Sequence, residues 1–128
     1  MPIVDLNYIN ASLDDLASKT VWNAYLGAQD GVTATPSGSQ ATALLINAMT
    51  TRVTTVATAG DAIELPLSSG GLFLTVVNAA ATNAMNVFPR PNEQINALGA
   101  NNAFSVAAGK ACFFVGTSKG QWHTVLSA

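Results

Sequence analysis

Cys112 and His123 are the side chains here with the widest chemical repertoire, and each residue type occurs once. A thiol and an imidazole can act as nucleophile and base when a third group orients the base. Neither neighbourhood offers that group. Cys112 lies in the apolar run Lys110-Ala111-Cys112-Phe113-Phe114-Val115, where a thiol is expected to behave as a small core hydrophobe. His123 alternates with Trp122 and Thr124 in an extended run and so faces away from Trp122. One histidine, with no cysteine or histidine at ligand spacing, makes no zinc site. Asp14 and Asp15 are adjacent, and on a helix they would point about 100° apart. Asp61, Glu64 and Glu93 are isolated in sequence, so a glycosidase-type carboxylate pair would have to assemble across loops. Gly70-Gly71, Gly99 and Gly109 are turn glycines. None opens a helix with Lys-Ser or Lys-Thr following, so no phosphate loop is expected. Trp22, Trp122, Tyr8 and Tyr25 could stack on sugars if exposed, although such aromatics more often serve as core or interface anchors. The expectation is a protein that is not an enzyme, with no cofactor, no metal and no small-molecule substrate.

Charge narrows the partners further. Charged residues make up 9% of the 128 residues, against about 25% in typical soluble domains. Such a surface must be wetted by Thr, Ser, Asn, Gln and backbone, which suits a protein covered by copies of itself or by a larger assembly. The bland alternative is a neutral, alanine-rich β-domain. Lys19, Arg52, Arg90, Lys110 and Lys119 are scattered, leaving no basic cluster for a phosphate backbone, so no nucleic acid is expected. A single cysteine excludes an internal disulfide framework. The N-terminal MPIVDLNYIN has neither a basic nor an apolar leader region, so no signal peptide is expected. No apolar run approaches the roughly 20 residues of a membrane span, and no membrane partner is expected.

The elements that must carry these residues are mostly strands. Residues 1–36 read as an N-terminal arm with a short helix. Ser12 can cap a first turn whose Asp14 and Asp15 complement the helix dipole, and Leu13, Leu16 and Ala17 share one face. The acids Asp5, Asp14, Asp15 and Asp30 face only Lys19 there, which is consistent with a docking segment or with one capped helix. Ile3, Val4, Leu6, Tyr8 and Ile9, followed by Leu13, Leu16, Trp22, Tyr25 and Leu26, are too many apolar groups for a free tail. They are expected to pack on their own body or on a neighbour, as interface anchors. Thr33–Gln40 reads as a turn or linker.

Residues 37–128 read as one all-β domain. Thr54-Thr55-Val56 disfavours helix, whereas 41–49 is compatible with strand or helix. Further strands are expected over 63–65, 72–78, 83–88, 95–98, 104–106, 111–115 and 122–126, separated by Gly, Asn and Pro turns. About eight short strands at this spacing predict a single β-sandwich or jelly-roll-like domain rather than βαβ units. A faint internal echo accompanies them. Residues 62–66, a Gly turn and 72–77 are followed later by 103–107, a Gly turn and 112–115.

Three stretches carry a resemblance: NAMTTRVTTVATAGDAIEL (47–65), LTVVNAAATNAMNVFP (74–89) and INALGANNAFSVAAGKACFFVGTSKGQWHTVL (95–126). Their ordered series, VxNA, then NVFP, INALxAN, FxxAAGK and GQWH, resembles a β-domain of tailed-bacteriophage virion proteins. It covers about two-thirds of the chain. Arg90-Pro91 and Cys112 depart from the pattern. The resemblance implies a non-enzymatic head-decoration (cement) protein. Such a protein would be made in the host cytoplasm, sit on the outer capsid surface of the virion as a homotrimer, and bridge major capsid proteins. The alternative within the same resemblance is a receptor- or glycan-binding module of a tail, head fibre or spike.

Overall fold

A computed structural model describes residues 27–128. The expected N-terminal helix lies outside the described residues, as do all ten apolar arm residues. Within them the chain is all-β, with ten strands and no helix. The strands are β1 (Ala28–Thr33), β2 (Leu44–Leu45), β3 (Thr50–Thr55), β4 (Ala62–Glu64), β5 (Phe73–Asn78), β6 (Met85–Phe88), β7 (Gln94–Ile95), β8 (Phe104–Val106), β9 (Ala111–Ser118) and β10 (Gln121–Leu126). They build a six-stranded sheet ordered β1-β3-β5-β9-β10-β7 and a four-stranded sheet ordered β2-β4-β6-β8.

The path between these sheets corrects the sandwich and jelly-roll expectation. From β1 to β6 the chain alternates sheets at every step. β1, β3 and β5 pair in parallel in the large sheet, and β2, β4 and β6 pair in parallel in the small one. Each pair of strands is therefore one turn of a flattened coil. Ala28 stacks on Thr50 and Thr50 on Thr75. Such winding is solenoid-like, where a jelly roll would pair its strands antiparallel. The coil ends after β6. β8 pairs antiparallel to β6, β9 pairs antiparallel to β5, and β10 hairpins back on β9. The internal echo in the sequence has a structural counterpart: β4 then β5, and β8 then β9, each a short strand of the small sheet followed by a long strand of the large one. The second unit runs opposite to the first.

Alternation along each strand places one face between the sheets. Val53, Leu74, Val76, Cys112, Phe114 and Trp122 point inward from the large sheet, against Ile63, Met85, Val87 and Val106 of the small one; all are fully buried. Phe104 meets Phe114 edge to face, with ring centroids 5.9 Å apart. The indole N–H of Trp122 has no hydrogen-bond partner among the described residues, so Trp122 contributes through apolar area.

Two differences from the sequence expectation have local causes. Ala28–Thr33 lies in the span read as N-terminal arm, yet it forms the edge of the large sheet. Gly31 adopts φ 69° at a register shift between Gln29 and Val32, so a bulge interrupts the alternation by which a strand is recognised. Residues 41–49 are neither a helix nor a full strand. Thr42 and Ala43 bond back to the Ser39 carbonyl in a turn, which leaves only Leu44–Leu45 to pair.

Gly116 faces inward on β9 where the loop before β5 crosses it. Gly71 N–H donates to the Gly116 carbonyl at 2.8 Å, and Gly116 N–H donates to the Leu72 carbonyl at 2.7 Å. A Cβ on Gly116 would collide with the Ser69 carbonyl, whereas one on Gly70 would meet nothing closer than 3.5 Å. Gly116→Ala should therefore lose about 1–3 kcal/mol. Gly70→Ala should stay within about 0.5 kcal/mol of the parent. Urea unfolding of both variants checks this, and equal midpoints would contradict the close crossing.

Candidate interaction surface

The outward residues of β5, β9 and β10 bring three exposed large apolar side chains, Phe73, Phe113 and Val125, onto one sheet face. Register sets Phe73 beside Val115, Thr75 beside Phe113, and Val77 beside Ala111. On the other side of β9, His123 lies beside Val115 and Val125 beside Phe113. Phe73 and Phe113 are 38% and 42% exposed, and Val125 is 61% exposed. The Phe73 and Phe113 rings touch, with centroids 5.2 Å apart and planes tilted by 43°. A diagonal aromatic pair on a sheet is stabilising in itself, but two half-exposed phenyl rings and an exposed valine keep apolar area in water. Thr50 and Arg52 of β3 continue the face beyond β5. Arg52 Nη1 donates to Asp30 Oδ1 at 2.9 Å. That hydrogen bond, with one from Gly31 N–H, holds the Asp30 carboxyl below its ordinary value. Both partners are mostly exposed, so the pair adds little stability. It does mark a charged border to an otherwise uncharged face.

The residues with chemical potential are not gathered there. Cys112 is buried on the opposite, inward face of β9, and burial pushes its thiol up to about 11. His123 is exposed on β10, facing away from buried Trp122, so alternation separates the thiol from the imidazole. Burial also removes Trp122 from any sugar platform, while Trp22, Tyr8 and Tyr25 lie outside the described residues. Among the described residues, no three His, Cys, Asp or Glu side chains come together as a metal site. No helix there is long and apolar enough to cross a membrane.

The three carboxylates isolated in sequence are all buried, and each meets different partners. Asp61 accepts from Ser37 N–H through Oδ1 and from Thr58 N–H through Oδ2, both at 3.0 Å. Glu93 accepts from Ser68 N–H at 3.0 and 3.3 Å. Glu64 pairs with Arg90 at 3.5 Å beside a cavity of about 240 Å³ lined by Leu45, Pro66, Leu67 and Arg90. Glu93 satisfies the buried Ser68 N–H, which would otherwise lack a partner, and Asp61 ties two loop N–H groups together. The sequence reading missed these clamps and the outer sheet face. The signal for the face was available: Phe73, Phe113 and Val125 occupy the alternate positions to buried Leu74, Phe114 and Trp122.

Burial raises the Glu64 carboxyl above its ordinary value, with Arg90 opposing. The folded state therefore holds this proton to higher pH than the unfolded chain, and Glu64 withdraws stability as pH rises through its titration. Glu64→Gln should gain stability relative to the parent between about pH 4 and pH 7; urea midpoints measure it, and a constant difference would show equal titration in both states. The Cys112 thiol should resist maleimide at pH 8 and react at least about a hundredfold faster in denaturant, as mass spectrometry would record.

No protein-family model, no curated protein and no solved structure matches this chain.

Proposed function

We propose that this chain is a non-enzymatic structural protein of the tailed-phage virion, of the head-decoration type. It self-associates as a trimer and bridges major capsid proteins. The observation that supports this reading best is the outer face of the large sheet, where Phe73, Phe113 and Val125 hold apolar area in water on a chain with few charges. Contiguous exposed apolar area rimmed by polar groups marks protein–protein contact. On a repeating lattice, many weak identical contacts add up to avidity without any single strong site. The motif series that resembles phage virion domains supplies the biological setting. Its residues lie mainly at strand ends: Asn78 ends β5 and Ala79 follows it, Pro89 follows β6, and Gln121 and Trp122 open β10.

The test is light scattering on the purified protein, followed by co-sedimentation with capsids that lack it. A trimer that binds in stoichiometric amounts is expected. Phe113→Asp places a charge at the centre of the face and should weaken capsid binding or trimerisation by about thirtyfold or more, with circular dichroism unchanged. A monomer that ignores capsids but binds host cells saturably would replace this reading with a receptor-binding module.

A further inference from the structure

Asp30-Gly31 is the one Asp-Gly or Asn-Gly dipeptide in the sequence. It sits in β1, at the edge of the large sheet. The register shift between Gln29 and Val32 falls on both residues, so neither has a register partner on β3. Gly31 adopts φ 69°, and a Cβ placed there would meet nothing within 4 Å. The Asp30 side chain is 70% exposed, yet it curls back on its own backbone, where Gly31 N–H donates to Oδ1 at 2.7 Å. The nitrogen and the carboxyl carbon of a possible ring closure are therefore held side by side, and such proximity favours an intramolecular step. Asp61-Ala62 is the contrast. Asp61 is 1% exposed, and its two carboxylate oxygens accept from Ser37 and Thr58 N–H. Ala62 N–H donates to the Thr35 carbonyl at 3.0 Å, so that nitrogen is committed elsewhere.

We propose that Asp30-Gly31 is a site of spontaneous self-modification, closing to a succinimide and reopening to isoaspartate, and that Arg52 restrains it. In the first step the Gly31 nitrogen bonds to Asp30 Cγ and one Cγ–O bond breaks. The amide proton and the carboxyl hydroxyl leave together as one water. In the second step one water adds to either ring carbonyl. Opening at Cγ restores aspartate, whereas opening at the main-chain carbonyl leaves Gly31 joined through the former side chain. Water is the only other reactant. Because hydroxyl must leave, the first step draws on the neutral acid. Among the described residues, Arg52 of β3 is the charged side chain facing this carboxyl, with Nη1 2.9 Å from Oδ1. Its hydrogen bond favours the ionised form and keeps the neutral acid scarce. The product has one more methylene in the main chain, and its carboxylate is attached directly to that chain. The Asp30–Arg52 pair is then lost, and the pairing of Ala28 and Gln29 with Thr50 and Thr51 loosens at an edge strand that has a neighbour on one side only. This proposal is independent of the decoration reading, since it concerns the chemistry of the single chain and its test uses no capsid.

The test is prolonged incubation of the full chain in heavy-oxygen water at mildly acidic pH. Digestion and mass spectrometry with electron-transfer fragmentation then locate the label and separate the two linkages. Heavy oxygen and isoaspartate should accumulate at Asp30 and not at Asp61. Asp30→Glu keeps a carboxylate for Arg52 but would have to close a six-membered ring, so labelling at that position should be lost. Arg52→Gln should raise the rate at Asp30 severalfold and leave Asp61 unlabelled. Both substitutions alter exposed side chains and should leave the fold intact. In the isoaspartate-containing fraction, amide exchange over residues 28–33 should be faster than in the fresh chain. Three results would overturn the proposal: an Asp30 that stays unlabelled, an Asp61 that labels as fast as Asp30, or an Arg52→Gln chain that labels at the parent's rate.

Discussion

The fully buried side-chain amide of Asn78 ties together parts of the chain that would otherwise meet only through apolar packing. Its Nδ2 donates to the carbonyls of Asn83 and Val106, each at 2.9 Å, and its Oδ1 accepts from Ala80 N–H at 3.1 Å. Its backbone N–H donates to Lys110 and its carbonyl accepts from Gly109. One residue at the end of β5 therefore fixes the turn that leaves the large sheet, the approach to β6, the end of β8 and the turn into β9. A buried amide with all these groups engaged is strongly directional, because any shift leaves a polar group without water or partner. Asn83 extends the same device by donating to the carbonyls of Val56 and Ala57 at 2.8 and 3.0 Å. The parallel coil and the antiparallel strands that close it are joined at this point.

With that junction fixed, the two faces of the large sheet acquire different roles. The inner face has to match the small sheet, and its fully buried side chains are apolar apart from Thr51 and Asn78. The outer face is free of that constraint, yet it keeps Phe73, Phe113 and Val125. Nothing in the packing of the described residues calls for those side chains outside, so the proposed interface accounts for residues that the fold leaves unexplained.

Much of the strand pattern was legible in the sequence. Leu72–Asn78, Asn83–Phe88 and Ala111–Val115 are β-rich runs bounded by Gly, Asn or Pro, and each contains or overlaps an observed strand. β1 was missed because the bulge at Gly31 breaks the period. The buried carboxylates were seen as isolated, which they are in sequence. Their partners, Ser37 for Asp61 and Ser68 for Glu93, lie 24 and 25 residues away, and no local spacing encodes such contacts. The motifs behind the virion resemblance include Asn78 and Asn96, which hold turns and strands together. Asn96 exchanges bonds with Thr124 at 2.9 and 3.1 Å. Those motifs are informative about the fold for the same reason that they say little about a site.

By itself the sequence determined the all-β class, the scarcity of charge, the core character of Cys112 and the opposite facing of Trp122 and His123, because alternation and composition are local properties. Only the tertiary structure decided that successive strands alternate between two sheets in a coil. A short strand followed by a turn reads the same whether the next strand pairs beside it or crosses to the facing sheet. That choice is made by which partners satisfy the backbone and the buried amides. It also decides which apolar side chains remain outside.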